Sequence, residues 1–227
     1  MQVRLISYSQ PNLDPETHED NTFLQFIKSP QDLVAFCARV SNPQNQHNTE
    51  TSDKLLKYLV KNKHWSPFEL VSACLEITTT RDIARQILRH RSFSFQEFSQ
   101  RYADPVKELS FVLRDPRLQD TKNRQNSIEV QNEYLQREWE YQQYRVLEAA
   151  KEAYKRAISK GIAKEQARAV LPEGLIESKL YMNGTLRSWI HYIELRSGNG
   201  TQKEHREIAV ECAKVLSKVF PIIKEFA

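Results

Sequence analysis

The hydrophobic positions of this chain follow two periods, and the switches between them outline its elements. Residues 2–8 (Gln-Val-Arg-Leu-Ile-Ser-Tyr) read as an opening strand. Residues 10–22 are polar and carry Pro11 and Pro15, so they read as a loop. Ser29-Pro30 then offers a capping hydroxyl and a first-turn proline for a helix reaching about Val40. A second helix is expected over roughly 50–62, with Leu55, Leu56, Leu59 and Val60 on one face. Residues 71–80 are rich in β-branched side chains and predict a strand. Ile83, Ala84, Ile87 and Leu88 return to helical spacing over 81–91.

Further along, 107–114 reads as a strand and 115–128 as a loop. One long helix is expected from about 129 to 159, stopped by Gly161. Its stripe of Val130, Tyr134, Leu135, Trp139, Tyr144, Leu147, Ala150 and Tyr154 suits a core or a subunit interface. A short helix covers 163–171, before Pro172. Asn183-Gly184-Thr185 reads as a turn into a helix over Leu186–Arg196, with Thr185 as its cap. On that helix Arg187 and His191 share a face, and Arg196 points roughly 140° away from His191. A last helix spans about 202–219, with Ile208, Cys212, Val215, Leu216 and Val219 on its core face.

At 227 residues the chain is expected to form one domain over 1–227. Its 33 Lys and Arg against 29 Asp and Glu leave only +4, far from the basic footprint of a dedicated nucleic-acid binder. Three scattered cysteines, with no metal-ligand spacing, read as reduced residues of a cytoplasmic protein that holds no metal. The N-terminus has no apolar signal core, and no run approaches membrane-spanning length.

The chemistry concentrates in 89–102, Arg-His-Arg-Ser-Phe-Ser-Phe-Gln-Glu-Phe-Ser-Gln-Arg-Tyr. If 96–102 is extended, Glu97, Ser99 and Arg101 point to one side and offer an acceptor, a hydroxyl and a planar guanidinium. That set suits an anionic small molecule with polar edges, such as a nucleotide. A solvated basic helix end followed by an aromatic core segment would read the same way. So would a non-enzymatic basic helical module that binds nucleic acid through its arginines, with Phe93, Phe95 and Phe98 as stacking platforms.

The stretch resembles the signature of flavin-dependent thymidylate synthases, R-H-R, seven residues, S. The resemblance runs through several motifs, in the family's order, from His64 to Glu207. It implies an α+β fold, a mixed sheet flanked by helices, and reductive methylation of dUMP to dTMP. FAD would be the hydride carrier, NADPH the reductant and methylenetetrahydrofolate the carbon donor. It also implies a homotetramer with FAD at subunit contacts, and no nucleic-acid or membrane partner.

Carried over position by position, the resemblance assigns dUMP to Gln86, Arg89, Glu97, Ser99, Gln100 and Arg101, with Arg168 from its A-R-x-V-L-P segment. Arg196 matches the arginine that stabilises the uracil ring when its imide nitrogen ionises, and is the catalytic candidate. FAD falls to Ser66, Arg89, His90, Arg91, Glu97, Thr185, Leu186, Arg187 and His191, while His64 and Glu69 line the site. Many members carry Asn where Thr185 stands and His where Lys203 stands.

Overall fold

The computed structural model describes residues 1–14, 16 and 24–226. The expected loop over 10–22 lies largely outside the described residues. Strand β1 (Gln2–Tyr8) opens the chain. Helix α1 (Pro30–Ala38) starts where Ser29 Oγ accepts from the Asp32 amide at 3.1 Å, and α2 (Ser52–Lys61) follows. A single 3-10 turn over Ser66–Glu69 leads into β2 (Ser72–Thr80), and helix α3 (Arg81–Ile87) begins at the next residue. Strand β3 (Ser94–Glu97) and the short α4 (Pro105–Glu108) come next, followed by β4 (Arg117–Gln119) and β5 (Ser127–Glu129). The chain closes with α5 (Glu133–Ser159), α6 (Lys164–Ala167), β6 (Glu177–Thr185), α7 (Leu186–Arg196) and α8 (Lys203–Leu216).

The main sheet has the order β1-β2-β6-β3. The fold is α+β as expected, but each of the sheet's ladders is antiparallel, so the sheet is not mixed. On β6 the pleat turns Ser178, Leu180, Met182 and Gly184 inward. Helices α1, α2, α7 and α8 close over this face. Trp189, Ile190 and Ile193 of α7 and Ile208, Cys212 and Leu216 of α8 are buried with it. Trp189 is anchored by its indole N–H, which donates to the Ala73 carbonyl at 3.0 Å.

Four local expectations are corrected. Residues 107–114 are not a strand: Asp104 accepts from the Val106 amide at 3.0 Å and Pro105 takes the first helical position, so α4 forms instead. Residues 110–112 run beside the start of β6 through an isolated Phe111–Ile176 bridge, with the Glu177 amide donating to the Ser110 carbonyl at 3.0 Å and the Val112 amide to the Leu175 carbonyl at 2.8 Å. Residues 115–128 hold a hairpin of β4 and β5, whose turn is organised by Asp120 accepting from the amides of Lys122 and Asn123. Asn183 and Gly184 belong to β6, which runs directly into α7 without a turn. Helix α5 begins only at Glu133, where Asn132 caps it, and ends with Gly161 at a φ of +80°. Of its stripe, Leu147, Ala150 and Tyr154 are buried, whereas Tyr134, Trp139 and Tyr144 stand exposed.

Candidate active site

The extended stretch from β3 stops early. The Phe98 amide still donates to the Lys179 carbonyl at 2.8 Å. The amides of Tyr102 and Ala103 then both fold back onto the Ser99 carbonyl at 3.2 Å. Residues 96–102 are therefore not one strand, and Glu97 parts company with Ser99 and Arg101. Glu97 turns inward, where it accepts from the Ser178 hydroxyl at 2.7 Å. It also faces Arg81 at 3.6 Å and Arg85 at 3.4 Å. Glu173 completes the cluster, 3.3 Å from Arg81 Nε. Arg81 is buried and its Nη1 has no hydrogen bond, so the Glu97 and Glu173 charges together compensate it.

Ser99 and Arg101 sit on the following turn. Ser99 Oγ accepts from the Arg101 amide at 3.4 Å, and among the described residues no base hydrogen-bonds to it. Arg101 pairs with Glu165 at 3.4 Å, and Lys164 donates to the Tyr102 carbonyl at 2.9 Å, which docks this turn onto α6. Arg168, at the end of α6, donates to the Glu165 carbonyl at 3.3 Å rather than to a carboxylate. Gln100 is buried, and among the described residues its Nε2 has no hydrogen-bond partner.

Helix α7 presents a different group at each end, as its spacing predicts. Near its start Arg187 pairs with Glu69. One turn on, the His191 ring meets the edge of Trp65 at 4.7 Å between centroids. His64 and Ser66 are exposed beside them on the 64–69 segment. Thr185 caps the helix by accepting from the Ser188 amide at 3.2 Å, so its hydroxyl is already engaged. The Leu186 side chain is buried in the core and its amide donates to the Val71 carbonyl at 2.9 Å. Leu186 therefore fastens α7 to the sheet and offers no polar side chain.

At the other end Arg196 Nε donates to His90 Nε2 at 2.9 Å. His90 is half-buried, and its pKa is lowered to about 4 by burial and by the Arg196 and Arg89 charges, so it is neutral at pH 7. Its ring packs edge-on to Tyr192. Tyr192 contacts the fully buried His205, whose pKa is lowered to about 3 by burial and by Arg196 and His90. His205 reaches Gln86 in turn. His205, Tyr192 and Gln202, which join this network, look in the sequence like ordinary positions of amphipathic helices. Arg89 and Arg91 extend from the unwinding end of α3, both exposed and neither in an ion pair among the described residues.

The 64–69 segment and the first turns of α7 thus form one group, Arg196 with His90 a second, and the 99–101 turn docked on α6 a third. A cavity of about 220 Å³ lined by Thr80, Arg114, Arg117 and Glu204, and another of about 390 Å³ beside the β4–β5 hairpin, contain none of the signature arginines. The stacking reading also loses ground, because Phe93 is buried against Trp189 and Tyr192 and cannot receive a base. Among the described residues no group of three or more His, Cys, Asp or Glu side chains could hold a metal, and no helix is long and apolar enough to cross a membrane.

The backbone is similar to a UMP/dUMP methylase, PolB, from Streptomyces cacaoi, solved with 5-Br dUMP. The TM-score is 0.74 at 24% identity, covering 99% of this chain and 93% of that one, which is a likeness of fold. In sequence, the chain is 46% identical over 223 residues to the flavin-dependent thymidylate synthase of Synechocystis sp., spanning 98% of this chain and 97% of the relative. It is 45% identical over the same shares to the "Probable flavin-dependent thymidylate synthase" of Paramecium bursaria Chlorella virus 1. The family model described as thymidylate synthase complementing protein matches residues 22–222. With the R-H-R signature, the α7 face and the Arg196–His90 pair set within that span, the chain belongs to the flavin-dependent thymidylate synthases.

Proposed function

We propose that this protein converts dUMP to dTMP by reductive methylation, with methylenetetrahydrofolate as carbon donor and NADPH as reductant. The observation that carries the reading, beside family membership, is the pairing of Arg196 with a neutral imidazole. A carboxylate partner would neutralise the guanidinium. His90 fixes its direction and leaves its charge free for a pyrimidine ring that becomes negative. Arg89, Arg91 and Arg168 likewise have no carboxylate partner among the described residues, in contrast to Arg81, Arg85 and Arg101. Unneutralised guanidinia suit phosphate.

The residues present fit FAD. Exposed Arg89 and Arg91 offer donors to a pyrophosphate, while Ser66, Arg187 and His191 form a polar patch beside Trp65. The orphaned Nε2 of buried Gln100 is a donor awaiting an acceptor, consistent with its assignment to dUMP. FAD, when bound, supplies the hydride chemistry, and the protein binds, orients and polarises. Ser99 and Arg101 with Arg168 hold the nucleotide; Ser99 has no base and serves as a binding group. Glu97 acts through the arginines it orders.

The site is completed between subunits of a homotetramer, as the family resemblance implies. The exposed aromatics of α5 are suited to that contact. The chain works as one domain, in the cytoplasm. The test is the visible spectrum of the purified protein before and after anaerobic NADPH, with and without dUMP, followed by direct assay of dTMP. A flavin spectrum that bleaches in a dUMP-sensitive way is expected. A colourless protein that takes up no FAD would overturn the reading.

A further inference from the structure

A directed chain of hydrogen bonds runs from α8 into the site. Arg117 Nη2 donates to Glu204 Oε1 at 2.6 Å. Gln202 Nε2 donates to Glu204 Oε2 at 3.0 Å. Gln86 Nε2 donates to Gln202 Oε1 at 2.8 Å. Gln86 Oε1 faces His205 Nδ1 at 3.3 Å, and His205 Nε2 faces the Tyr192 hydroxyl at 3.1 Å.

The directions follow from one fact: an ionised carboxylate only accepts. Burial alone would raise the Glu204 carboxyl, but hydrogen bonds from Arg117, its own backbone and Gln202 hold it below its ordinary value, so it is ionised. Gln202 must therefore turn its NH₂ to Glu204 and its carbonyl to Gln86. Gln86 must then turn its NH₂ to Gln202 and its carbonyl to His205. A carbonyl requires a donor, so His205 carries its proton on Nδ1. Its bare Nε2 accepts from Tyr192. Flipping either amide would set two acceptors or two donors against each other in a half-buried place, at a cost comparable to a lost hydrogen bond.

We propose that His205 is a positioning residue for the nucleotide site: as the Nδ1–H tautomer it donates to the Gln86 carbonyl and, with Gln202 holding the amide nitrogen, pins Gln86 at both ends so that its second N–H and its remaining lone pair face dUMP in one orientation. This rests on the reading of Gln86 as a dUMP contact. The plain alternative is a satisfied core histidine with no bearing on the ligand.

The two are separated by ¹⁵N NMR of the imidazoles in the unaltered holoenzyme, together with dUMP titrations of variants. The expected spectrum has His205 protonated on Nδ1 and bare on Nε2; the opposite tautomer would overturn the proposal without any variant having to fold. His205→Leu is expected to weaken dUMP binding roughly tenfold, the scale of one oriented hydrogen bond. Turnover at saturating dUMP should stay within about twofold. His205→Asn, whose amide can stand in for Nδ1–H, should recover most of the affinity. In a Gln86→Leu background, His205→Leu should have no further effect on dUMP affinity. An undiminished effect there, or no effect alone, would refute positioning through Gln86. A Gln86→Leu variant that binds dUMP normally would instead refute the assignment of Gln86 to the nucleotide, an outcome distinct from the other two.

Discussion

Arg196 and His90 stand 106 positions apart in the chain, yet the Nε–H of one donates to Nε2 of the other at 2.9 Å. Because Nε2 accepts, the neutral ring carries its proton on Nδ1. Removing the acceptor frees the Arg196 head to swing, while its charge survives. His90→Leu is expected to reduce turnover at saturating dUMP by about 10–100-fold, the equivalent of ~1.5–3 kcal/mol for a hydrogen bond to a charged group. His90→Gln, which can place an amide oxygen near Nε2, should lose only a few-fold. Steady-state assays of both variants check this, and equal losses would mean that His90 does more than orient Arg196.

Glu97 is the cautionary case among the signature residues. It shares its charge with buried Arg81 and with Arg85, and takes a hydrogen bond from buried Ser178. Glu97→Ala would leave Arg81 facing only the more exposed Glu173. Breaking a buried pair on one side costs about 3–5 kcal/mol. At ~2–4 °C per kcal/mol for a chain of this size, thermal unfolding should drop by roughly 6–20 °C. An unchanged melting temperature with lost nucleotide binding would restore Glu97 to direct contact alone.

The sequence made the long-period features readable and hid the short ones. Helix α7 could be read with both of its faces because eleven residues display three turns of pattern, and the Arg187–Glu69 and Arg196–His90 contacts bear out its two directions. The same reasoning fails at 107–114, where an Asp-Pro cap starts a helix that takes Lys107 and Glu108 and the rest of the run makes one isolated bridge. It fails at β4 and β5, which are three residues each and too short to show a period. Continued extension past Glu97 would group it with Ser99 and Arg101, and the turn at Ser99 divides them. The His205–Gln86–Gln202 chain was invisible because it depends on how α3 and α8 meet, which no local pattern encodes.

Gly184 lies on β6 under the signature stretch. A Cβ added there would sit 2.4 Å from Phe93 Cδ1 and 2.5 Å from Cε1. Phe93 cannot yield easily, since Trp189 and Tyr192 pack its ring at centroid distances of 4.8 and 5.9 Å. Gly184→Ala is therefore expected to destabilise by about 1–3 kcal/mol, as overpacking does. It should also displace the 91–95 backbone that carries Arg91. Denaturant unfolding would measure the first effect and FAD titration the second; a variant of native stability would mean that the ring has room to move.

The two lowered histidines set an acid limit with a definite sign. In the unfolded chain a histidine titrates at its ordinary value of 6.5, whereas folded His90 titrates at about 4 and His205 at about 3. Between those values the unfolded chain binds protons that the folded one refuses, so stability rises with pH across the window. It is fully present above 6.5 and is lost progressively as pH falls towards 3. Denaturant melts of the wild type and His205→Leu at pH 7.5, 6, 5 and 4 should show a shallower loss in the variant, since carboxylates common to both cancel in the comparison. Turnover follows the same logic at His90. A proton on Nε2 removes the acceptor for Arg196 and sets two positive charges together, so the acid limb from this pair should lie near 4. An acid limb near 6.5 that vanishes in His90→Gln would show that His90 titrates freely and is not held neutral against Arg196.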